Sequence, residues 1–252
     1  MAADVGAAWC NDGAGLTAAQ ANFFDPALIA LSQEGDWTAA GTPQTLVNYL
    51  RGDTSKYNSG TIPRGSNDLY RARTSVLGDI VNAQPSYVRA SPFSYGDTEY
   101  FQYKSCTDGT ATTLGVTCPA GRFPDQTKAR RGTVYAASND GMLHAFETDV
   151  NYNPYFQTAG ITTAATLDDT FTGNNAGNGA ERWAYIPGLL LADIHQLANE
   201  PYVHRYFVDG SPTIADIGVT TPCGGLADWR TLLGRGLNAG GRGYYALDVS
   251  NP

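Results

Sequence analysis

The pattern of hydrophobic and polar positions divides the chain into a helical beginning and a longer part made of short strands. Apolar residues recur at helical spacing behind Thr42, which precedes a proline, and Gly52 follows as a stop signal. A second helix start of the same kind lies at Asp25, which is also followed by a proline. We therefore predict a helical lead-in segment over residues 1–55 and a polar linker loop over residues 56–69.

From residue 70 onward the pattern changes to short runs of β-prone residues separated by turns. Gly132–Glu147 contains two such runs on either side of Asn139-Asp140-Gly141, and these turn residues tolerate positive φ. A second strand pair is predicted at Trp229–Leu233 and Gly243–Val249, around a glycine-rich stretch. The run from Gly188 to Glu200 has helical periodicity, and we predict one helix there.

Recurring hairpins with glycine and aromatic residues at their turns favour a β-propeller, and a β-sandwich is the alternative that the pattern allows. Loops near residues 97–128 and 150–180 interrupt the repeat. Because one blade takes roughly 40–50 residues, residues 70–252 would supply about three or four blades. The sequence therefore predicts a partial propeller that belongs to a longer protein.

Composition and charge favour an exported protein that does not bind nucleic acid. The chain has 16 Lys and Arg against 24 Asp and Glu, and its net charge of −8 opposes binding to nucleic acid or to anionic membranes. Charged residues make up only 16% of the chain, which together with its glycine and tyrosine content is typical of extracytoplasmic β-rich proteins. No apolar run reaches the roughly 18 residues that span a membrane. Met1–Gly15 lacks the features of a signal peptide, so we expect an export signal upstream.

The four cysteines favour a disulfide over a metal site, because none of them forms a C-x-x-C pair. Cys106 and Cys118 bracket a polar stretch, and a disulfide that closes this loop would require an oxidising compartment. Two unpaired thiols are the alternative. Cys10 and Cys223 could pair or remain free.

One segment begins like a calcium-binding loop. Asp149, Asn151 and Asn153 have the spacing of the first three ligands. The glycine and glutamate that complete such a loop are replaced by Pro154 and Gly160. These three residues are therefore only weak candidates for metal ligands.

Arg51-Gly52-Asp53 is a tripeptide that some integrins bind, and it is also a plausible helix end, with arginine last and glycine as the stop. His144, His195 and His204 have no metal-binding spacing, so we expect structural roles for them. No serine-hydrolase elbow occurs in the chain. The residues therefore give no positive indication of an enzyme.

Five strings, in order along the chain, resemble the C-terminal β-propeller domain of the PilC/PilY-type tip proteins of bacterial type IV pili. They are Tyr70–Val88, Gly132–Phe146, Trp183–Pro187, His204–Thr213 and Trp229–Val249. Residues 42–53 also resemble the helix that leads into that domain. The resemblance implies a modified seven-bladed β-propeller with inserted loops and one helix, preceded by short α-helices. Residues 70–252 would be its N-terminal part, cut at Pro252.

The resemblance also implies a function. Members of this family act without catalysis in pilus assembly, retraction control, surface attachment and twitching motility. Their partners would be pilin and minor pilin subunits and a host or abiotic surface, and their location the periplasm, outer membrane, cell surface and pilus tip. Several members bind calcium in a loop that would fall beyond Pro252, so no cofactor is expected in this fragment.

Two alternatives belong to other functional classes. Ala137–Phe146 also resembles the repeat of quinoprotein dehydrogenases that use pyrroloquinoline quinone. Those enzymes typically carry two adjacent cysteines beside the cofactor, and this chain has no such pair. The other alternative is a structural propeller that binds no ligand.

Overall fold

The fold is mainly β, as the sequence predicts. The computed structural model describes residues 22–24, 42–60, 68–118, 129–148, 179–219 and 228–251. These ranges contain seven strands in two antiparallel sheets, two α-helices and short 3₁₀-helices.

The first sheet contains the predicted hairpin around Asn139-Asp140-Gly141. Its strands, in spatial and chain order, are β1 (Ser86–Val88), β2 (Thr133–Ala137), β3 (Leu143–Glu147) and β4 (Glu181–Tyr185). Gly141 has a φ of 88°, and a Cβ atom at this position would lie 2.1 Å from Cδ1 of Ile194. Glycine is therefore required here both by the backbone conformation and by the close approach of the neighbouring segment.

The second sheet contains the predicted strand pair and one further strand. Its strands are β5 (Thr213–Val219), β6 (Asp228–Gly236) and β7 (Tyr244–Asp248), in that order. Along β7, Tyr245 and Leu247 are buried, whereas Tyr244, Ala246 and Asp248 are exposed. This alternation is typical of a sheet with one face against the core.

Helix α1 (Pro43–Leu50) begins as predicted, because the Thr42 side chain accepts a hydrogen bond from the backbone of Thr45. Leu46, Tyr49 and Leu50 are fully buried in the same hydrophobic cluster as the first sheet. The helix predicted behind Asp25 lies outside the described residues, as does the middle of the predicted linker loop, residues 61–67. At the two ends of that loop, Tyr57 forms a parallel bridge with Tyr70.

Two sequence-based expectations are corrected by the structure. The predicted loop over residues 97–128 contains helix α2 (Thr98–Asp108), which begins where the Asp97 side chain accepts a hydrogen bond from Tyr100 N at 2.7 Å. Gly109, with a φ of 78°, ends the helix. The apolar residues of α2 follow no helical stripe, so hydrophobic periodicity could not reveal it.

The single helix predicted over residues 188–200 is instead two 3₁₀-helices, Gly188–Leu190 and Ile194–Ala198. Its apolar positions were correctly identified, since Leu190, Ile194 and Leu197 are all buried. In an α-helix the Leu197 carbonyl would accept a hydrogen bond from the backbone N–H of residue 201. Residue 201 is a proline, which has no N–H to donate. That carbonyl accepts hydrogen bonds from Tyr49 and Arg71 instead.

Candidate functional site

A cleft of about 370 Å³ lies beside the first sheet, within the size range of ligand sites. Most of its walls are apolar. The apolar lining residues are Leu50, Val76, Leu77, Met142, Phe146, Trp183 and Ala184, and the polar ones are Arg51, Asp140, His144, Glu181 and Arg182. The cleft therefore has the general composition of a binding site, with a few polar groups in an apolar wall.

His144 is buried among these polar lining residues and contacts two carboxylates. Its Nε2 donates to Asp140 Oδ2 at 3.0 Å, and its Nδ1 donates to Glu181 Oε1 at 2.5 Å. Burial by itself would lower the pKa of His144, but the hydrogen bonds and charges of Asp140 and Glu181 outweigh burial and raise the pKa to about 9. His144, on β3, is therefore a cation at neutral pH, held between Asp140 of the hairpin turn and Glu181 of β4.

Asp140 also fixes the hairpin turn to a neighbouring segment. Its carboxylate accepts from Gly78 N at 2.8 Å and from Met142 N at 3.1 Å. The adjacent Asn139 donates from Nδ2 to Asp79 at 3.0 Å. Sequence reasoning predicted the turn and a structural His144 but missed their contact. The available signal was an Asp and a His four residues apart across a tight turn.

The second notable region is the stapled insert, residues 97–118, which consists of α2 and the loop that follows it. A disulfide joins Cys106 to Cys118, the pairing that the sequence analysis preferred. Tyr100 and Tyr103 pack beside the two cysteines in a small hydrophobic cluster of their own. The insert therefore has a small core, against which Phe93 and Trp229 of β6 also pack.

A buried hydrogen-bond network attaches the stapled insert to the second sheet. The Asp216 carboxylate on β5 accepts from the Tyr100 hydroxyl at 2.8 Å, from Thr231 Oγ1 at 2.6 Å, and from the Ser91 hydroxyl. Arg130 donates to the same Thr231 hydroxyl at 2.7 Å. Burial raises the pKa of Tyr100, and the hydrogen bond to Asp216 acts in the same direction, so Tyr100 remains a donor.

The stapled insert exposes two large apolar side chains, and a third lies just before it. Phe101 is 53% exposed and Leu114 is 51% exposed, and Tyr95, just before the insert, is 45% exposed. Tyr95 stacks on Trp229 of β6 with a ring-centroid distance of 5.0 Å. The insert thus presents exposed apolar side chains from a unit that a disulfide closes.

The tripeptide Arg51-Gly52-Asp53 has the geometry of a helix end. Arg51 is the C-cap of α1, Gly52 has a φ of 106°, and Asp53 N donates to Asn48 O at 2.9 Å. Hydrogen bonds from Ser55 lower the pKa of Asp53. Arg51 and Asp53 are both exposed, so the helix-end interpretation accounts for the three residues, and an adhesive role stays a prediction.

The calcium candidates Asp149, Asn151 and Asn153 lie outside the described residues, as do Cys10 and Cys223. Their predicted roles therefore remain predictions. Among the residues that the structure describes, no group of three or more His, Cys, Asp or Glu side chains could hold a metal ion. No helix in the described ranges is long and apolar enough to cross a membrane.

Comparison with known proteins identifies relatives for most of the chain. Residues 77–252 match the family described as PilY1 beta-propeller domain. The chain is 33% identical over 212 residues to the type IV pilus biogenesis factor PilY1 of Pseudomonas aeruginosa strain PAK, which covers 83% of the chain. It is 32% identical over 218 residues, 86% of the chain, to a PilY1 homolog of Xylella fastidiosa strain Temecula1.

These relatives are much longer than this chain. The match covers 13% of the Pseudomonas protein and 14% of the Xylella protein. No solved structure matches the chain significantly. The family match extends over both sheets and the stapled insert, and it agrees with the mainly β fold. The chain therefore belongs to the PilY1 β-propeller family.

Proposed function

We propose that this protein serves in type IV pilus biogenesis as a non-catalytic binding propeller. The observation that carries the proposal is the family match over residues 77–252, together with relatives named type IV pilus biogenesis factors. In this proposal the protein is exported and acts at the cell surface and pilus tip. There it supports pilus assembly, control of retraction, surface attachment and twitching motility.

The structure supports binding as the mode of action. The stapled insert presents Phe101 and Leu114 to solvent from a unit that a disulfide and a buried network hold in place. A rigid support reduces the entropy lost when such a surface binds a partner. A disulfide also agrees with an oxidising compartment outside the cytoplasm.

The cleft beside His144 gives little support to catalysis. No Ser, Thr, Cys or Lys side chain lines it, and His144 is engaged by Asp140 and Glu181 on both of its ring nitrogens. A histidine held in this way is not placed to act on a nucleophile. The quinoprotein alternative lacks comparable support, because the relatives given above are pilus biogenesis factors.

The proposed partners are pilin and minor pilin subunits on one side and a host or abiotic surface on the other. The experiment is to delete the gene and to complement the strain with the full-length protein. We expect the deletion to abolish surface pili or twitching, and the wild-type gene to restore them. A deletion strain with normal pili, normal motility and normal attachment would overturn the proposal.

A pair of variants separates assembly from attachment. Phe101→Ser with Leu114→Ser changes only exposed side chains of the stapled insert, so we expect normal piliation and reduced attachment. Val203→Ser is a matched control, because Val203 is 77% exposed and lies outside the insert. Equal attachment by the control and the insert variant would show that the stapled insert takes no part in attachment.

A further inference from the structure

A second, larger groove lies at the end of the β6–β7 hairpin and has a chemistry different from that of the cleft. Its volume is about 970 Å³. The lining side chains are Thr213, Arg235, Asn238, Arg242, Tyr244 and Tyr245, and the remaining lining residues are Gly234, Gly236, Gly241 and Gly243.

The charge of this groove is positive, although the chain as a whole carries a net charge of −8. Arg235 and Arg242 are exposed, and no carboxylate is among the lining residues. Arg230, on the same strand as Arg235, instead lies 2.7 Å from Asp228 and 3.1 Å from Asp248. In the described part of the chain neither groove arginine has such an ion pair, so both guanidinium groups are available to an anion.

Tyr244 adds a flat apolar surface to this positive groove. It is 86% exposed and lies opposite Gly236 in the β6–β7 register. A Cβ atom at Gly236 would lie only 3.1 Å from Cε1 of Tyr244, so the ring lies beside a strand position that has no side chain. Because most of its surface is exposed, the ring can present a face to a ligand.

We propose that this groove binds an acidic saccharide, a sugar that carries a carboxylate, such as a uronic acid. Guanidinium groups pair with carboxylates in a bidentate geometry, and an aromatic face packs against the C–H face of a sugar ring. The exposed side chains of Thr213 and Asn238 can hydrogen-bond to sugar hydroxyls. An acidic peptide would use the arginines but would have no comparable need for the tyrosine face.

An acidic saccharide would be the ligand that the protein binds during surface attachment, and this biological setting rests on the proposed function. The binding itself is tested on the purified 252-residue chain. The probe is tetragalacturonate, titrated at low salt by calorimetry or NMR, and its fully methyl-esterified form is the uncharged control ligand. We expect the acid to bind at least about tenfold more tightly than the ester, and its binding to weaken as salt rises above about 0.1 M.

Variants then locate the site. Arg235→Gln with Arg242→Gln should weaken binding of the acid at least about tenfold and leave binding of the ester unchanged. Tyr244→Ser should weaken the binding of both ligands by a similar factor. Arg205→Gln and Tyr87→Ser are matched controls, because both side chains are exposed and lie outside the groove. Both controls should bind like the parent chain.

Several results would overturn the proposal. One is that tetragalacturonate does not bind the parent chain. The others are that acid and ester bind with equal affinity, or that the double arginine variant binds the acid as tightly as the parent chain. Equal binding of polyglutamate, with no effect of Tyr244→Ser, would assign the groove to acidic peptides and also overturn it. The pilus function is tested separately, since a deletion strain with normal pili would overturn that function and leave the binding result unchanged.

Discussion

Asp140, beside the first sheet, and Asp216, in the second sheet, are both buried. Their carboxylates accept hydrogen bonds from different kinds of donor. In the first sheet, Asp140 accepts from two backbone N–H groups and from the imidazole of His144. In the second sheet, Asp216 accepts from three hydroxyl groups, those of Ser91, Tyr100 and Thr231. The first site depends on a titratable cation, whereas the second depends on hydroxyl groups that a disulfide-bonded insert helps to position.

The two regions are therefore sensitive to different changes. The backbone N–H groups and the imidazolium around Asp140 can only donate, so they require an acceptor at that place. Hydroxyl groups can rotate and accept as well as donate, so the surroundings of Asp216 can adapt. The first region should therefore respond to pH and to loss of the carboxylate, and the second to loss of the disulfide.

The largest expected effect distinguishes the two aspartates directly. Asp140→Asn replaces an acceptor oxygen with an N–H₂ group that faces only donors, and we expect it to lower the free energy of unfolding by about 4 kcal/mol. Asp216→Asn should cost only about 1 kcal/mol, because the surrounding hydroxyl groups can reorient. Urea denaturation of the two variants measures both values. Equal losses would show that the two carboxylates depend on their hydrogen-bond donors to the same extent.

The next effect concerns the stapled insert. Cys106→Ser with Cys118→Ser removes a cross-link that closes a loop with a sequence separation of 12, and we expect a loss of about 3 kcal/mol. Hydrogen exchange should show lower protection in α2, while the amides of β2 and β3 keep theirs. A loss of protection that is spread evenly over both sheets would show that the insert does not open as a separate unit.

The third effect is a dependence on pH that arises in the first region. The folded-state pKa of His144 is raised to about 9, above the ordinary value of 6.5. The stabilisation that protonated His144 contributes to the folded state is therefore complete below the unfolded-state pKa. It is lost as the pH rises through about 9. A tenfold difference in proton affinity corresponds to about 1.4 kcal/mol, so the free energy of unfolding should fall by about 2 kcal/mol between roughly pH 7 and pH 9.

Two histidine variants show which residue causes the pH dependence. His144→Gln should remove most of the fall in stability, whereas His204→Gln should retain it. His204 is a suitable control because it also contacts a carboxylate, Asp79, but is half exposed. Stability of the parent chain that stays constant over this pH range would contradict the assignment.

The smallest expected effect concerns two glycines with positive φ, one at the end of α1 and one in the stapled insert. Gly52 has a φ of 106°, and a Cβ atom there would lie 3.0 Å from Cγ2 of Val76. Gly115, in the stapled insert, has a φ of 69° and no atom within 4 Å of that position. Both alanine variants strain the backbone, but only Gly52→Ala adds a steric contact, so it should cost about 1 kcal/mol more. Thermal unfolding of the two variants tests this difference, and equal melting temperatures would contradict it.

Much of the fold could be predicted because it depends on neighbouring residues. The β2–β3 hairpin follows from Asn139-Asp140-Gly141, and the start of α1 follows from Thr42 and the proline after it. The disulfide between Cys106 and Cys118 could also be predicted, since the two cysteines are close along the chain. The glycine-rich hairpin between β6 and β7 could be predicted for the same reason.

The sequence by itself therefore determined the β-rich class, the main turns and the family resemblance, which are local or linear properties. Only the tertiary structure decided what surrounds the two buried aspartates. Gly78 and Asp140 are 62 residues apart, and Tyr100 and Asp216 are 116 residues apart. The same holds for α2, whose sequence has no apolar stripe and whose buried tyrosine hydroxyls bond to residues of the second sheet. Contacts of this kind depend on how distant segments pack, and local propensity carries no information about them.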